Sequence, residues 1–447
     1  MPSTSIDAVV VAYLLSLAVV IPASGWLGDR WGTKRVFLIA LALFTVTSAL
    51  CGLASNFTML VLFRFLQGAA GGALAPVGTT MLYRTFPPAE RVRVSSVLII
   101  PTVVAPATGP VLGGLLVDSL SWRWVFFVNV PIGIAAFLFG LIFLQEHREP
   151  KAGSFDLPGF LLADIGLALA LYALSEGPTS GWISPAILGS ALGGLLLLIG
   201  FVVVELRRPE PLLDLRLLGN RLFRIANLVS LFSSAAFLGV LFVAPLFLQQ
   251  GLGVTPLTSG LTTFPEALGV LLSSQIVARL YPRVGPRRLM AAGLTGVTIV
   301  MGLMSLMGAD TNLWLMRVLM FLTGAGMAFA FVPVQIAAFA TISSAATGRA
   351  SALSNALRQL GSALGVAVIG EVLNAVGPTR QSVNGRVLPS LAAYHAAFLA
   401  AAVLALITAG LALAVSDRDA APSMQRQARP SEDEDTSEQT MFAEAGL

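Results

Sequence analysis

Residues 36–83 read VFLIALALFTVTSALCGLASNFTMLVLFRFLQGAAGGALAPVGTTMLY. Two apolar runs lie end to end, parted only by the polar break around Ser55 and Asn56, and Arg64 is the single charge in the stretch. A helix needs about 20 mostly apolar residues to cross a bilayer, and each run supplies them. Lipid offers the backbone no hydrogen-bond partners, so a spanning segment is a helix or a strand of a closed barrel. Runs of this length exclude the barrel, whose strands alternate over roughly ten residues.

The same pattern extends in both directions. Spans are expected near 6–28, 36–54, 58–83, 94–117, 122–144, 157–176, 184–205, 222–250, 257–280, 289–308, 313–341, 348–376 and 391–415. The fold class is therefore an all-α polytopic membrane protein with about 13 transmembrane helices. Composition agrees: of 447 residues, 56% are hydrophobic and 11% charged, against roughly 25% charged in a soluble domain. The mean hydropathy is +0.84. No cleavable leader is expected, since the first run leads directly into a basic loop and another span. Cys51, the only cysteine, can form no internal disulfide or zinc site and reads as packing. With two histidines, His147 and His395, and no phosphate-binding Gly-x-x-x-x-Gly-Lys loop, neither metal, cofactor nor ATP motor is expected. No catalytic pattern points to an enzyme. The pI near 9.6 is not a nucleic-acid signal, because the arginines sit in short loops between spans.

Those loops set the expected orientation. One alternate set carries Arg30, Lys34, Arg35, Arg84, Arg91, Arg93, Arg148, Lys151, Arg207, Arg208, Arg216, Arg221, Arg224, Arg279, Arg283, Arg287, Arg288 and Arg349. The other carries only Arg123, Arg317, Arg380 and Arg386. The positive-inside rule makes the first set cytoplasmic, together with the tail. An internal repeat supports the arrangement. Gly32, Lys34 and Arg35 match Gly285, Arg287 and Arg288 at an offset of 253, and Pro76 matches Pro333 at 257, which sets Phe321 opposite Arg64. Repeated halves are typical of transporters. In the second half the basic loop follows two spans and in the first half one, so the first half is expected to lack its opening helix and Met1 to be an internal start. The expected organisation is an N-terminal lobe over 1–150, two extra helices over 151–210, a C-terminal lobe over 211–416 and a disordered tail over 417–447.

Five motifs carry specific chemistry. Gly25-Trp-Leu-Gly28-Asp29-Arg30-Trp-Gly32-Thr-Lys34-Arg35 is a tight basic turn. Its glycines permit close approach and positive φ. Asp29 can pair with an arginine or meet a helix N-terminus, forming a latch that breaks and re-forms. Arg64-Phe-Leu-Gln67-Gly68 places an arginine inside a span, about 9 Å from the outer edge, where snorkelling can lower its cost. Ala105-Pro106-Ala-Thr-Gly109-Pro110-Val-Leu-Gly113-Gly114 combines a small-residue stripe with two bends. Asn129-Val-Pro131-Ile-Gly133 and Ser354-Asn355-Ala-Leu-Arg358-Gln359-Leu-Gly361 complete the set.

Together these motifs resemble the major facilitator superfamily, most closely its drug:proton antiporter branch with fourteen helices. The resemblance implies two pseudo-symmetric helical lobes plus two extra central helices. It implies a secondary exporter in the cell membrane that exchanges protons for amphipathic or cationic small molecules by alternating access. The motif from Pro106 to Gly114 would seal against leak, and Arg64 would tune a nearby carboxylate from the cavity. Expected partners are the substrate, protons and lipid, with the chain a monomer. Export of one dedicated metabolite or lipid-like product is an alternative, as is a non-transporting sensor or scaffold. The candidate coupling acids within spans are Asp164, Glu266 and Glu371. Glu266, after Pro265 and about 14 Å into its span, is favoured. Asp164 belongs to the extra pair and is expected to be structural, and Asp7 to be solvated.

Overall fold

The computed structural model describes residues 3–86, 90, 94, 109, 112–113, 115–116, 119–149, 154–208, 211–343, 346–377, 379–381 and 387–424. The helices are α1 (Ser3–Trp31), α2 (Thr33–Leu53), α3 (Phe57–Thr85), α4 (Trp124–Phe127), α5 (Asn129–Phe143), α6 (Leu157–Ser180), α7 (Pro185–Arg207), α8 (Arg221–Leu246), α9 (Pro256–Thr263), α10 (Pro265–Val284), α11 (Pro286–Met304), α12 (Leu313–Ala338), α13 (Thr347–Val376), α14 (Leu391–Ala412) and the short α15 (Ala421–Met424). Among the described residues ten spans are long and apolar enough to cross a membrane, with α1 and the shorter apolar α6 beside them. The chain is an all-α polytopic membrane protein of about 13 helices. The span expected at 94–117 lies mostly outside the described residues.

Local chemistry sets the element ends. Asn56, Asp156, Asn220, Thr255 and Asn312 accept from the first-turn amides of α3, α6, the α8 helix, α9 and α12, satisfying donors that a helix leaves open. Two expected spans are interrupted. The stretch near 257–280 breaks between α9 and α10 at Pro265, which lacks an amide hydrogen. The stretch near 222–250 ends in a π turn at Phe247–Gly251. A two-stranded hairpin, Thr379–Gln381 with Val387–Pro389, lies between α13 and α14.

The helices pack in two sets. In one, α1, α2 and α3 pack together and α5 joins α2; in the other, α8 and α10–α14 pack together. The extra hairpin of α6 and α7 attaches through α6, which touches α1 of the first set and α13 of the second. The chain after the last span corrects the expected disorder from residue 417. Ala420 is fully buried, Ser423 Oγ lies 2.9 Å from Tyr281 Oη, and Asp417 Oδ1 accepts from the Arg287 amide at 3.0 Å. These contacts dock 417–424 beneath the C-terminal lobe.

The repeat is visible as a matched backbone contact. A Cβ on Gly68 would strike the carbonyl oxygen of Tyr13, and a Cβ on Gly324 would strike that of Glu266. Tyr13 and Glu266 stand 253 apart, as do Gly32 and Gly285, so the contact is the same one made twice. It corrects the register of the facing helix. Gly68 and Gly324 differ by 256, which sets Met320 rather than Phe321 opposite Arg64. The second half carries one extra residue between Gly324 and Pro333, and alignment on the proline alone hides it.

Candidate functional site: an inter-lobe latch and the groups above it

Asp29, in the last turn of α1, is 5% exposed. Arg84, in the last turn of α3, gives it an Nη2–Oδ1 contact of 2.9 Å, and both side chains are almost wholly buried. On the other side lies the first turn of α13: a Cβ on Gly348 would sit 2.7 and 2.8 Å from the two Asp29 oxygens. The carboxylate is thus held between a guanidinium of its own lobe and the positive end of a helix from the other. Gly25 makes that approach possible, since a Cβ there would lie 2.8 Å from the Gly348 carbonyl oxygen and 3.2 Å from Ala352 Cβ. Removing one partner of such a buried pair typically costs about 3–5 kcal/mol.

The seam continues beside the pair. Ser351 Oγ donates to the Pro76 carbonyl at 2.8 Å in a buried position. Tyr83 Oη donates to the Gln335 carbonyl at 3.1 Å, and its ring stacks on Phe339 with centroids 4.4 Å apart. All these groups lie at the end of the bundle that bears the basic loops.

The other members of the basic turn brace it. Gly32 has φ +99°, and a Cβ there would run into the Glu146 carboxylate. Glu146 Oε1 accepts from the Lys34 amide at 3.0 Å, and its other oxygen faces Arg35 Nε at 3.5 Å on the surface. Lys34 Nζ donates to the Leu141 carbonyl at 2.8 Å. Gly28 meets only ordinary contacts, and Arg30 is exposed. Glu146 was not legible as a site residue: it lies more than a hundred positions from the turn it caps. Asp417 does the same for Gly285 and Arg287 in the second lobe.

Above the seam the expected groups separate. Arg64 Nη1 donates to Gln67 Oε1 at 2.9 Å, and the guanidinium lies over Tyr13 at 4.2 Å and Phe126 at 5.7 Å from the ring centroids. Tyr13, missed by the sequence reading, takes the place next to Arg64 that was expected for a carboxylate. Arg358 Nη2 donates to Asn355 Oδ1 at 2.7 Å. Glu266 is 1% exposed, and neither carboxylate oxygen has a partner among the described residues. Glu371 departs from expectation: its Oε2 accepts from Trp182 Nε1 at 2.6 Å, which ties it to the loop between α6 and α7 rather than to the other groups. Asp164 is 5% exposed with both oxygens unpartnered. Of the proline-glycine motif, Gly109 is helical and exposed and Gly113 helical and half-buried, with no described atom within 4 Å of a Cβ on either. Pro106, Pro110 and Gly114 lie outside the described residues.

The model of the Major Facilitator Superfamily matches residues 1–366 and 225–442. The chain belongs to the Major Facilitator Superfamily. Among superfamily members, the multidrug resistance protein B homolog of Mycobacterium tuberculosis is 34% identical over 366 residues, covering 81% of this chain and 68% of the relative. The MFS-type transporter YhcA of Bacillus subtilis is 30% identical over 367 residues, covering 82% and 69%. The crystal structure of the human organic anion transporter MFSD10 superimposes with a TM-score of 0.64 at 18% identity, over 91% of this chain and 83% of that one, and shows the shared fold.

Proposed function

We propose that this chain is a proton-coupled exporter of small amphipathic molecules, of the drug:proton antiporter branch with fourteen helices, working by alternating access. The observation that carries this reading is the Asp29 carboxylate held between Arg84 and the first turn of α13. By the distribution of Lys and Arg that end is cytoplasmic, so the structure corresponds to a state closed toward the cytoplasm. Lobes over 1–150 and 211–416 rock about a central site, with the pair over 151–210 riding on α6 and the tail on the cytoplasmic side. The 34% identical relative, named for multidrug resistance, supports efflux.

Glu266 is the coupling group of this reading. Its carboxyl sits at the break between α9 and α10, deep in its span, with no partner to hold its charge. A group so placed takes a proton when the site opens outward and yields it when the site opens inward. The test is proton release from energised everted vesicles, followed with a pH-sensitive dye as candidate drugs are added. Drug-dependent release that disappears in Glu266→Gln is expected. Release that persists in Glu266→Gln contradicts Glu266 as the carrier, and no release with any drug contradicts coupled multidrug export.

A further inference from the structure

One face of α13 looks across to the other lobe. Ser351, at its base, bonds to Pro76 of α3 within the seam. Asn355, Arg358 and Ser362 follow on the same face at helical spacing. Asn355 is still buried, whereas Arg358, about 16 Å into its helix, is exposed. A solvent-open side chain in the depth of the bundle, about 10 Å above a sealed seam, faces a space between the lobes.

The charge that Arg358 brings to that space is positive. Arg358 has a neutral partner in Asn355, and Arg64 has neutral partners in Gln67 and two aromatic rings, with its Nε buried and unpartnered. Neither guanidinium takes part in any ion pair of the described residues. The acids within the described spans are sealed or engaged elsewhere. The carboxylate oxygens of Glu266 and Asp164 are sealed from solvent. Asp29 is paired with Arg84, and Glu371 is held by Trp182.

We infer that the space between the lobes takes amphipathic organic anions, a carboxylate or sulfonate on an aromatic or aliphatic body, with Arg358 as the group that recognises the charge and Arg64 as a second one. This deepens the export reading and rests on it. A guanidinium fork matches a carboxylate or sulfonate in geometry. The Tyr13 and Phe126 rings beside Arg64 offer an apolar surface to the body of the molecule. A membrane potential negative inside also drives an anion outward.

Two probes with one aromatic body and opposite charge test this: 2-naphthoate and trimethyl(2-naphthyl)ammonium. Equilibrium binding of each to the full chain in lipid nanodiscs is measured alongside probe-dependent proton release in everted vesicles. Naphthoate is expected to bind at least tenfold more tightly than the ammonium. Arg358→Gln should weaken naphthoate tenfold or more and abolish the preference. Arg358→Lys should restore part of it, which a folding defect at this position would not do. Arg64→Gln should weaken naphthoate to a lesser degree. Equal or tighter binding of the ammonium, a preference that survives in Arg358→Gln, or no binding of either probe overturns the inference. Proton release driven by the ammonium without naphthoate binding overturns it and leaves export standing. Arg358-dependent naphthoate binding with no proton-coupled movement of either probe keeps it and removes the export reading.

Discussion

The α1–α3 pair and the α10–α12 pair make the same contact with different chemistry. In each, a glycine of one helix lies against a carbonyl of its neighbour: Gly68 on Tyr13, Gly324 on Glu266. Small residues at such positions let two backbones touch, and in lipid that packing is a main source of helix association. The side chains then diverge. In the first pair Arg64 contacts both Gln67 and Tyr13. The second puts Met320 and Thr323 at the matching places, and Thr323 returns its hydroxyl to Leu319 of its own helix. Glu266 is left without a partner among the described residues. The repeat keeps the backbone geometry that builds a lobe and frees the polar residues to differ, so one helix pair holds a fixed cation and the other an acid.

The shared half of the comparison carries the largest expected effect. Gly68→Val and Gly324→Val each drive a branched side chain into a backbone carbonyl and should separate their helix pairs. Overpacking of this kind costs about 1–3 kcal/mol, and more where backbone is the obstacle. Both variants should lose folded yield in membranes, measured by detergent-resistant monodisperse protein. Normal yield from one and collapse of the other would break the equivalence.

The divergent half follows. Glu266→Gln should abolish drug-dependent proton flux, whereas Tyr13→Phe, at the matching position, should leave it within about twofold. The Tyr13 ring that faces Arg64 survives in phenylalanine, and a cation–π contact needs only the ring. A loss in Tyr13→Phe equal to that in Glu266→Gln would mean that the two lobes share the coupling chemistry after all.

The smallest effect belongs to the helix-capping acids. Glu146→Gln and Asp417→Asn remove a charge from a first-turn amide at the surface, a change of about 0.5–2 kcal/mol at a helix N-terminus. Melting temperatures should fall slightly and to a similar extent in both, since each acid serves the matching glycine turn. A large fall in only one would show that the two turns bear unequal loads.

The tight basic turn at residues 25–35 was legible because every element of it is local or general: glycines for close approach, an acid at a helix end, and cations nearby. Its partners were not. Arg84 and Gly348 come from distant helices, and only packing brings them to Asp29. The break at Pro265 was foreshadowed by a proline inside an apolar run, yet the run still read as one span because hydropathy does not register a lost amide. The docked segment 417–424 is polar enough to read as solvated, and its order rests on a few side chains that find Tyr281 and the Arg287 amide. Register between the repeats failed for a simpler reason: one inserted residue shifts every pairing on one side of it.

The central claim is that the Asp29 latch holds the two lobes together at the basic end. Spin labels at Arg30 and Arg221, both exposed at that end, report the separation of the lobes by pulsed electron resonance in nanodiscs, with Cys51→Ser as background. The account predicts one dominant short distance in the parent chain and a second, longer population in Asp29→Asn. An unchanged distance distribution in Asp29→Asn would contradict it.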